Sequence, residues 1–314
     1  MTDGESNGFA PAAWVHAGGV LSLDRPRVMA IVNVTPDSFF DGGQLHDGAS
    51  PRLSAILEHA RRCVRHGADL LDVGGESTRP GAEPVAPEQE QARVVPAIEA
   101  MRADPELRSI PISIDTRRAS VAAAAVAAGA SIVNDVSGLA DPQMPALVAR
   151  TGAGLVIGHL RGEPRTMQRE VRFAHVLREI TDELATSVEL ALAAGVERPR
   201  ILVDPGIGFG KTAEQSAALV AASGWLRQAT GCPVLIGASR KSFLRAIVGD
   251  PEQPASRRLA GSLAAALVAV ERGASVLRVH DVGDTVQALT VARSIQRAFE
   301  VLAEDVSPPR EAMH

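Results

Sequence analysis

The chain has 314 residues, 46% of them apolar but only 3% aromatic and none tyrosine, which fits one large α/β barrel or two ordinary domains with cores filled by alanine, valine and leucine. A formal net charge of −5 argues against a general nucleic-acid binder, which would carry a basic stripe, yet leaves room for a basic site that takes a small anion. The N-terminal MTDGESNG has neither a basic region nor an apolar core, so it does not read as a signal peptide. The longest apolar stretches, around 121–133 and 259–270, fall short of the roughly 20 residues of a membrane span. Two cysteines without a CxxC spacing, Cys63 in a helical pattern and Cys232 in a loop, point to a reduced, cytoplasmic protein.

Taken in order, residues 1–12 are rich in Gly, Ser and Asp and read as a disordered tail. Residues 14–24 fit a short hairpin turning at Ala17-Gly18-Gly19. A rhythm then sets in. The apolar run 27–33 (RVMAIVN) ends in Asn33 and is followed by a long loop rich in Pro, Asp and Gly. A helix over 51–66 comes next, with Leu53, Ile56, Leu57, Ala60 and Val64 at helical spacing and Gly67 as its stop. Further strands are expected at 70–75, 111–116, 131–136 and 154–160, and helices at 88–103, 118–128, 142–151 and 173–194.

The stretch 201–212, ILVDPGIGFGKT, resembles a phosphate-binding loop at its end, but that pattern needs a glycine six residues before the lysine, and Pro205 stands six before Lys211. It reads instead as a sixth buried strand, 201–206, ending in a carboxylate, then a tight turn and a helix over 213–229. A seventh strand at 233–240 precedes a helix over 256–272, and an eighth at 276–281 precedes a last helix over 284–302.

Eight short strands, apolar on both faces and each followed by a helix, predict a (β/α)8 TIM barrel with a short N-terminal hairpin. A doubly wound open sheet is the alternative; it favours a Gly-rich turn directly after the first strand, where this chain has Asn33-Val-Thr-Pro. No linker divides the chain, so residues 13–302 are expected to form one domain, with 303–314 a flexible tail.

In such a barrel the C-terminal strand ends converge on one mouth. Here they carry Asn33, Asp72, Asp115, Asn134 with Asp135, His159, Asp204, the run Ser239-Arg240-Lys241, and Arg278 with His280. A lone Asp at a strand end is usually a helix cap or turn former, and that is the reading for Asp72 and Asp135. The set as a whole has chemical content. Carboxylates and an Asn suit a planar heterocycle bearing N–H and amino donors, while Lys, Arg and His suit phosphate or diphosphate. Asn33 and the carboxylates of the loop after it suit Mg2+ held against phosphate oxygens. The loops 35–48 and 74–87 are long for such connections and read as lids or substrate contacts.

Several long motifs occur in order over residues 14–300: Asn33-Val-Thr-Pro-Asp-Ser-Phe with Asp41-Gly-Gly, Asp72-Val-Gly-Gly-Glu-Ser-Thr-Arg-Pro-Gly81, Ser113-Ile-Asp-Thr116, Asn134-Asp135, Arg165-Thr-Met-Gln168, Asp204-Pro-Gly-Ile-Gly-Phe-Gly-Lys211, Ser239-Arg-Lys-Ser242 and Arg278-Val-His-Asp281. Together they resemble dihydropteroate synthase, a pterin-binding barrel. The resemblance implies condensation of 6-hydroxymethyl-7,8-dihydropterin diphosphate with 4-aminobenzoate to 7,8-dihydropteroate and pyrophosphate, in a cytoplasmic, Mg2+-dependent, sulfonamide-targeted homodimer. It implies that Asp115, Asn134, Asp204 and Lys241 hold the pterin with Phe209 beside it. It assigns Asn33, Arg278 and His280 to the diphosphate, Asn33 also to the metal. It further implies that Phe39, Thr78, Arg79, Pro80 and Ser239 shape the aminobenzoate site and that Asp115, Asp204, Lys241, Arg278 and His280 carry catalysis.

Two positions depart from the family pattern. Gly158 replaces a methionine that usually precedes the histidine of the fifth strand, which predicts a void or a shifted Ile157 or Leu160 and about 1–3 kcal/mol weaker pterin binding if nothing refills the space. Phe40 stands where serine is more usual. A methyltetrahydrofolate-dependent methyltransferase barrel and a non-catalytic pterin-binding paralogue are the rival readings; the Ser-Arg-Lys and Ser-Thr-Arg-Pro-Gly motifs oppose the first, and only Gly158 favours the second.

Overall fold

Side chains along a strand alternate between two faces. The computed structural model, which describes residues 13–35, 53–76, 85–162, 166–168 and 171–304, turns that alternation into a closed barrel. Two short strands come first, β1 (Ala13–His16) and β2 (Gly19–Ser22), paired as the expected antiparallel hairpin. Then follow β3 (Arg27–Asn33), β4 (Leu70–Gly74), β5 (Ile112–Asp115), β6 (Ile132–Asp135), β7 (Gly154–Gly158), β8 (Ile201–Asp204), β9 (Leu235–Ile236) and β10 (Val276–Val279). These eight are parallel, each beside its neighbour in sequence, with β3 also beside β10. The ring closes where Val203 of β8 bridges Val234 just before β9.

One face of each strand points to the surrounding helices. There Leu71, Val73, Ile114, Val133, Leu155, Ile157 and Val203 join the helix side chains in one continuous core. The other face points inward, where Met29, Leu70, Ile132, Val156, Leu202, Leu235 and Val276 fill the barrel. Trp14 from the hairpin joins them, fully buried, and its indole Nε1–H donates to the Arg200 carbonyl at 2.8 Å. The hairpin therefore packs a large apolar side chain against the inner cluster.

The helices are α1 (Leu53–Arg65), α2 (Pro87–Ala103), α3 (Ala119–Ala127), α4 (Met144–Thr151), α5 (Val176–Ala193), α6 (Ala213–Val220), α7 (Ser223–Thr230), α8 (Ser242–Ile247), α9 (Leu259–Glu271) and α10 (Val282–Glu304). α6 opens with a capping box: Thr212 accepts from Gln215 N at 3.2 Å, and Gln215 accepts from Thr212 N at 3.0 Å.

Three expectations need correction. The single helix over 213–229 is two helices, because its halves pack on different neighbours, α6 on α8 and α7 on α5; the alanines at the break, Ala221-Ala222, gave no warning. The strand over 233–240 shrinks to two residues, since Pro233 has no N–H to donate and Ser239-Arg240 form a turn. The short α8 directly after Lys241 was not expected, and the helix placed at 256–272 begins at Leu259. The tail 1–12 lies outside the described residues, and α10 runs to Glu304. No helix among the described residues is long and apolar enough to cross a membrane.

Candidate active site

Two residues beyond the inward Leu70, Ile132, Leu202 and Val276 come Asp72, Asn134, Asp204 and Arg278. Period-two alternation therefore stacks a polar tier on the apolar filling of four alternate strands. Arg278 Nε donates to Asp72 Oδ2 at 2.6 Å, and its Nη2 donates to Asp115 Oδ2 at 2.6 Å. Asn134 Nδ2 donates to the same Asp72 oxygen at 3.1 Å. Burial works against the Arg278 charge, but Asp72 and Asp115 more than offset it and hold the guanidinium above its usual range.

Asp72 is thus neither a helix cap nor a turn former. It sits fully buried inside β4 and fixes Arg278 and Asn134. Asp135 does form a turn, accepting from the Ser137 N–H at 2.7 Å and hydroxyl at 2.5 Å.

Among the described residues, Asp115 Oδ1 and Asn134 Oδ1 are buried without a hydrogen-bond partner. Buried acceptors are normally satisfied, so these two are open to a donor from outside the described residues. Burial raises the Asp115 carboxyl to about 7 against the pull of Arg278. Burial likewise raises Asp204, opposed chiefly by Lys241. Asn33, half-buried at the end of β3, lies beside Asp115: a Cβ on Gly74 would be 3.7 Å from both Asn33 Oδ1 and Asp115 Oδ2.

The turn after β8 supplies the next wall. Asp204 Oδ1 accepts from Gly206 N at 2.8 Å. Gly206 has φ of +67°, and a Cβ there would lie 1.9 Å from the His159 carbonyl, so only glycine fits. The Lys241 ammonium lies 3.8 Å above the centre of the Phe209 ring, a cation–π contact, and donates to the Ile207 carbonyl. Burial pushes this lysine down to about 8.

The last two motifs meet pairwise. Ser239 Oγ lies 3.1 Å from His280 Nδ1 and accepts from His280 N at 3.2 Å. Arg240, between Ser239 and Lys241, turns away with φ of +59° and pairs with Asp281 at 2.9 Å through Nε. The site residues expected from the sequence are therefore brought together in three groups: Asn33 with Asp115, Asn134, Asp204 and Arg278; Phe209 with Lys241; and Ser239 with His280. Phe39, Thr78, Arg79 and Pro80 lie outside the described residues, as does Phe40.

Sequence reasoning missed one cluster. Lys211, set aside because no phosphate loop forms, is buried with its Nζ 3.0 Å from His159 Nδ1 and 2.9 Å from the Phe209 carbonyl. His159 Nε2 lies 2.9 Å from Glu183 of α5. Burial pushes Lys211 down to about 7 and, helped by Lys211, holds His159 near 4. A histidine at a strand end and a lysine in the next turn were visible; Glu183, one of several acids on a long helix, was not.

Residues 29–280 match the family described as pterin binding enzyme. The dihydropteroate synthase of Neisseria meningitidis serogroup B is 43% identical over 90% of this chain and 97% of its own length. The chain belongs to the dihydropteroate synthase family. Another member, from Escherichia coli K12, is 38% identical over 90% of this chain and 96% of its own. A bifunctional folylpolyglutamate synthase/dihydropteroate synthase of Haloferax volcanii is 44% identical, and the match spans 32% of that longer protein. Among solved structures, the Xanthomonas albilineans dihydropteroate synthase with 4-aminobenzoic acid superposes with a TM-score of 0.83 at 43% identity, covering 91% of this chain and 99% of that one. The same enzyme in complex with 7,8-dihydropteroate gives 0.77 at 41% identity, covering 88% and 96%.

For a member of this family, Gly158 is the main departure, and the expectation of a void there is wrong. A Cβ at Gly158 would lie 2.7 Å from Val136 Cα and 3.1 Å from the Asp135 carbonyl. The main chain after β6 occupies the space that a side chain would need.

Proposed function

We propose that the chain joins 6-hydroxymethyl-7,8-dihydropterin diphosphate to 4-aminobenzoate in the cytoplasm, releasing pyrophosphate. The observation that carries this reading is the buried tier itself: unpartnered acceptors on Asp115 and Asn134, a second carboxylate on Asp204, and Lys241 stacked on Phe209. An amino-pyrimidine edge donates two hydrogens side by side, which a carboxylate accepts as a pair. Asp204 takes that edge, Asn134 and Asp115 take the remaining donors, and Phe209 flanks the ring.

Arg278 spends its Nε and one Nη2 proton on Asp72 and Asp115, which fixes the plane of the guanidinium. Its other protons, with His280, receive the diphosphate oxygens as the methylene–oxygen bond breaks. The electron pair leaves with the diphosphate, and the cationic pterin left behind is stabilised by the carboxylates of Asp115 and Asp204. The aminobenzoate nitrogen forms the new bond with its lone pair and then loses a proton to water. Ser239, held by His280, is assigned to the aminobenzoate side.

Among the described residues no three His, Cys, Asp or Glu side chains gather as a metal cage. A cation that arrives on substrate phosphates needs only one or two protein oxygens, so the carboxamide of Asn33 beside Asp115 fits Mg2+. When bound there, Mg2+ would neutralise charge on the departing diphosphate.

A homodimer is supported by Val291, Ile295, Phe299 and Leu302, which line one side of α10 at helical spacing and are all more than half exposed; light scattering would report its mass. Pyrophosphate release that requires both substrates tests the activity. Release from the pterin substrate alone, or none at all, contradicts it.

A further inference from the structure

The turn between β8 and α6 shows three consecutive carbonyls, each held by a lysine or glutamine side chain, one of them from the turn itself. Lys241 donates to Ile207, Gln168 Nε2 donates to Gly208 at 2.7 Å, and Lys211 donates to Phe209 at 2.9 Å. Two of the donors are explained: Lys241 belongs to the pterin site, and Gln168 is at the surface. Lys211 is not. It is a buried cation that touches none of the groups assigned to substrate except through this turn.

Its own support is built with care. The Glu183 carboxylate can only accept, so His159 donates from Nε2 to Glu183 Oε2 2.9 Å away, which leaves Nδ1 to accept from Lys211 Nζ at 3.0 Å. Glu183 is in turn paired with Arg161 from the loop after β7, and Arg161 also pairs with Glu179 at 2.7 Å. A chain of hydrogen bonds therefore runs from the Phe209 carbonyl through Lys211 and His159 to a half-exposed acid on α5. The His159 carbonyl, 3.4 Å from the ammonium, adds a weaker contact.

We infer that Lys211, seated on His159 and Glu183, is a positioning residue for the pterin. By fixing the Phe209 carbonyl it sets where the Phe209 ring stands against Lys241. The inference rests on the proposed pterin site, and it assigns to Lys211 no contact with substrate. A removed Lys211 leaves two acceptors, Phe209 O and the buried His159 Nδ1, without their donor, so the turn relaxes and the ring wall moves.

The test is calorimetric binding of 6-hydroxymethyl-7,8-dihydropterin diphosphate to the full chain, alongside the KM values for both substrates. Lys211→Met is expected to weaken pterin binding about tenfold, the factor for one lost hydrogen bond to a buried group, while the KM for aminobenzoate stays within about twofold. Glu183→Ala, on the helix surface, is expected to weaken it about threefold, and Glu183→Gln, which keeps an acceptor for His159, to recover most of that loss. Pterin binding by Lys211→Met within twofold of wild type overturns the inference. So does an equal loss for both substrates, which would mark a general fold defect. If Lys211→Met does not fold, the two Glu183 variants decide, and identical affinities for both overturn it. Wild-type chain that binds the dihydropterin diphosphate without turnover contradicts the proposed activity and leaves these comparisons intact; wild-type chain that does not bind it overturns both.

Discussion

Arg278 shows how closely binding and folding are joined at single residues here. Its guanidinium stands between Asp72 and Asp115, both buried. Removing one partner of a buried ion pair leaves uncompensated charge, typically costing about 3–5 kcal/mol. Arg278→Met is therefore expected to lower stability by that amount in urea unfolding, in addition to its loss of activity. Gly158 gives the opposite kind of prediction. Restoring the methionine of the family pattern by Gly158→Met should not tighten pterin binding, because main chain already fills the space. It should destabilise by about 1–3 kcal/mol, as overpacking does, and thermal melting would show it. At this scale the sequence made the inward polar residues legible, because Asp72, Asn134, Asp204 and Arg278 share one strand parity with the apolar filling below them. The close approach of Val136 to Gly158 was not legible, since no pattern in the chain reports the distance between two strand ends.

The elements were read well wherever periodicity and a stop signal agreed. β3 was expected at 27–33 and spans those residues, and glycines follow α1, α3, α5 and α9 much as anticipated. Reading failed where neighbours override local preference. Ala221-Ala222 favour helix, yet α6 and α7 part there to pack on different partners. The Ser-Arg-Lys segment looked like the end of a strand. It is a turn whose middle residue, Arg240, adopts a left-handed backbone to reach Asp281 while Ser239 and Lys241 serve the site. This division of labour can be tested. Arg240→Gly removes the ion pair and also the backbone strain, each worth about 1 kcal/mol. Its stability should stay near wild type while kcat/KM falls about tenfold from misplaced flanking groups. Equal activity in the variant would mean that the clamp to Asp281 does not position its neighbours.

For the whole molecule, eight repeats of strand and helix were enough to predict the barrel, and the Val203–Val234 bridge is the contact that closes it. Buried titratable groups then link the fold to pH. Burial keeps the folded His159 uncharged down to about 4, whereas an unfolded imidazole takes its proton near 6.5. Between those values the unfolded state binds more protons, so this group's contribution to stability is whole above pH 6.5 and is lost toward pH 4. Asp115, raised to about 7 by burial, acts in the other direction over much of the same range. The comparison with His159→Gln isolates the histidine: the difference in unfolding free energy between wild type and variant should shrink in favour of the variant as pH falls from 6.5 to 4. A difference independent of pH would show that His159 is not held neutral.

The proposed function requires that Asp204 and the buried tier around it form a pterin pocket. Calorimetric titration of the wild-type chain and Asp204→Ala with 6-hydroxymethyl-7,8-dihydropterin diphosphate and Mg2+ tests it most directly. Wild type should bind at one saturable site per chain, and Asp204→Ala, folded with a similar melting temperature, should show affinity weakened at least about a hundredfold, as when a charged group loses its hydrogen-bonded partner. An Asp204→Ala isotherm that matches wild type would contradict the account.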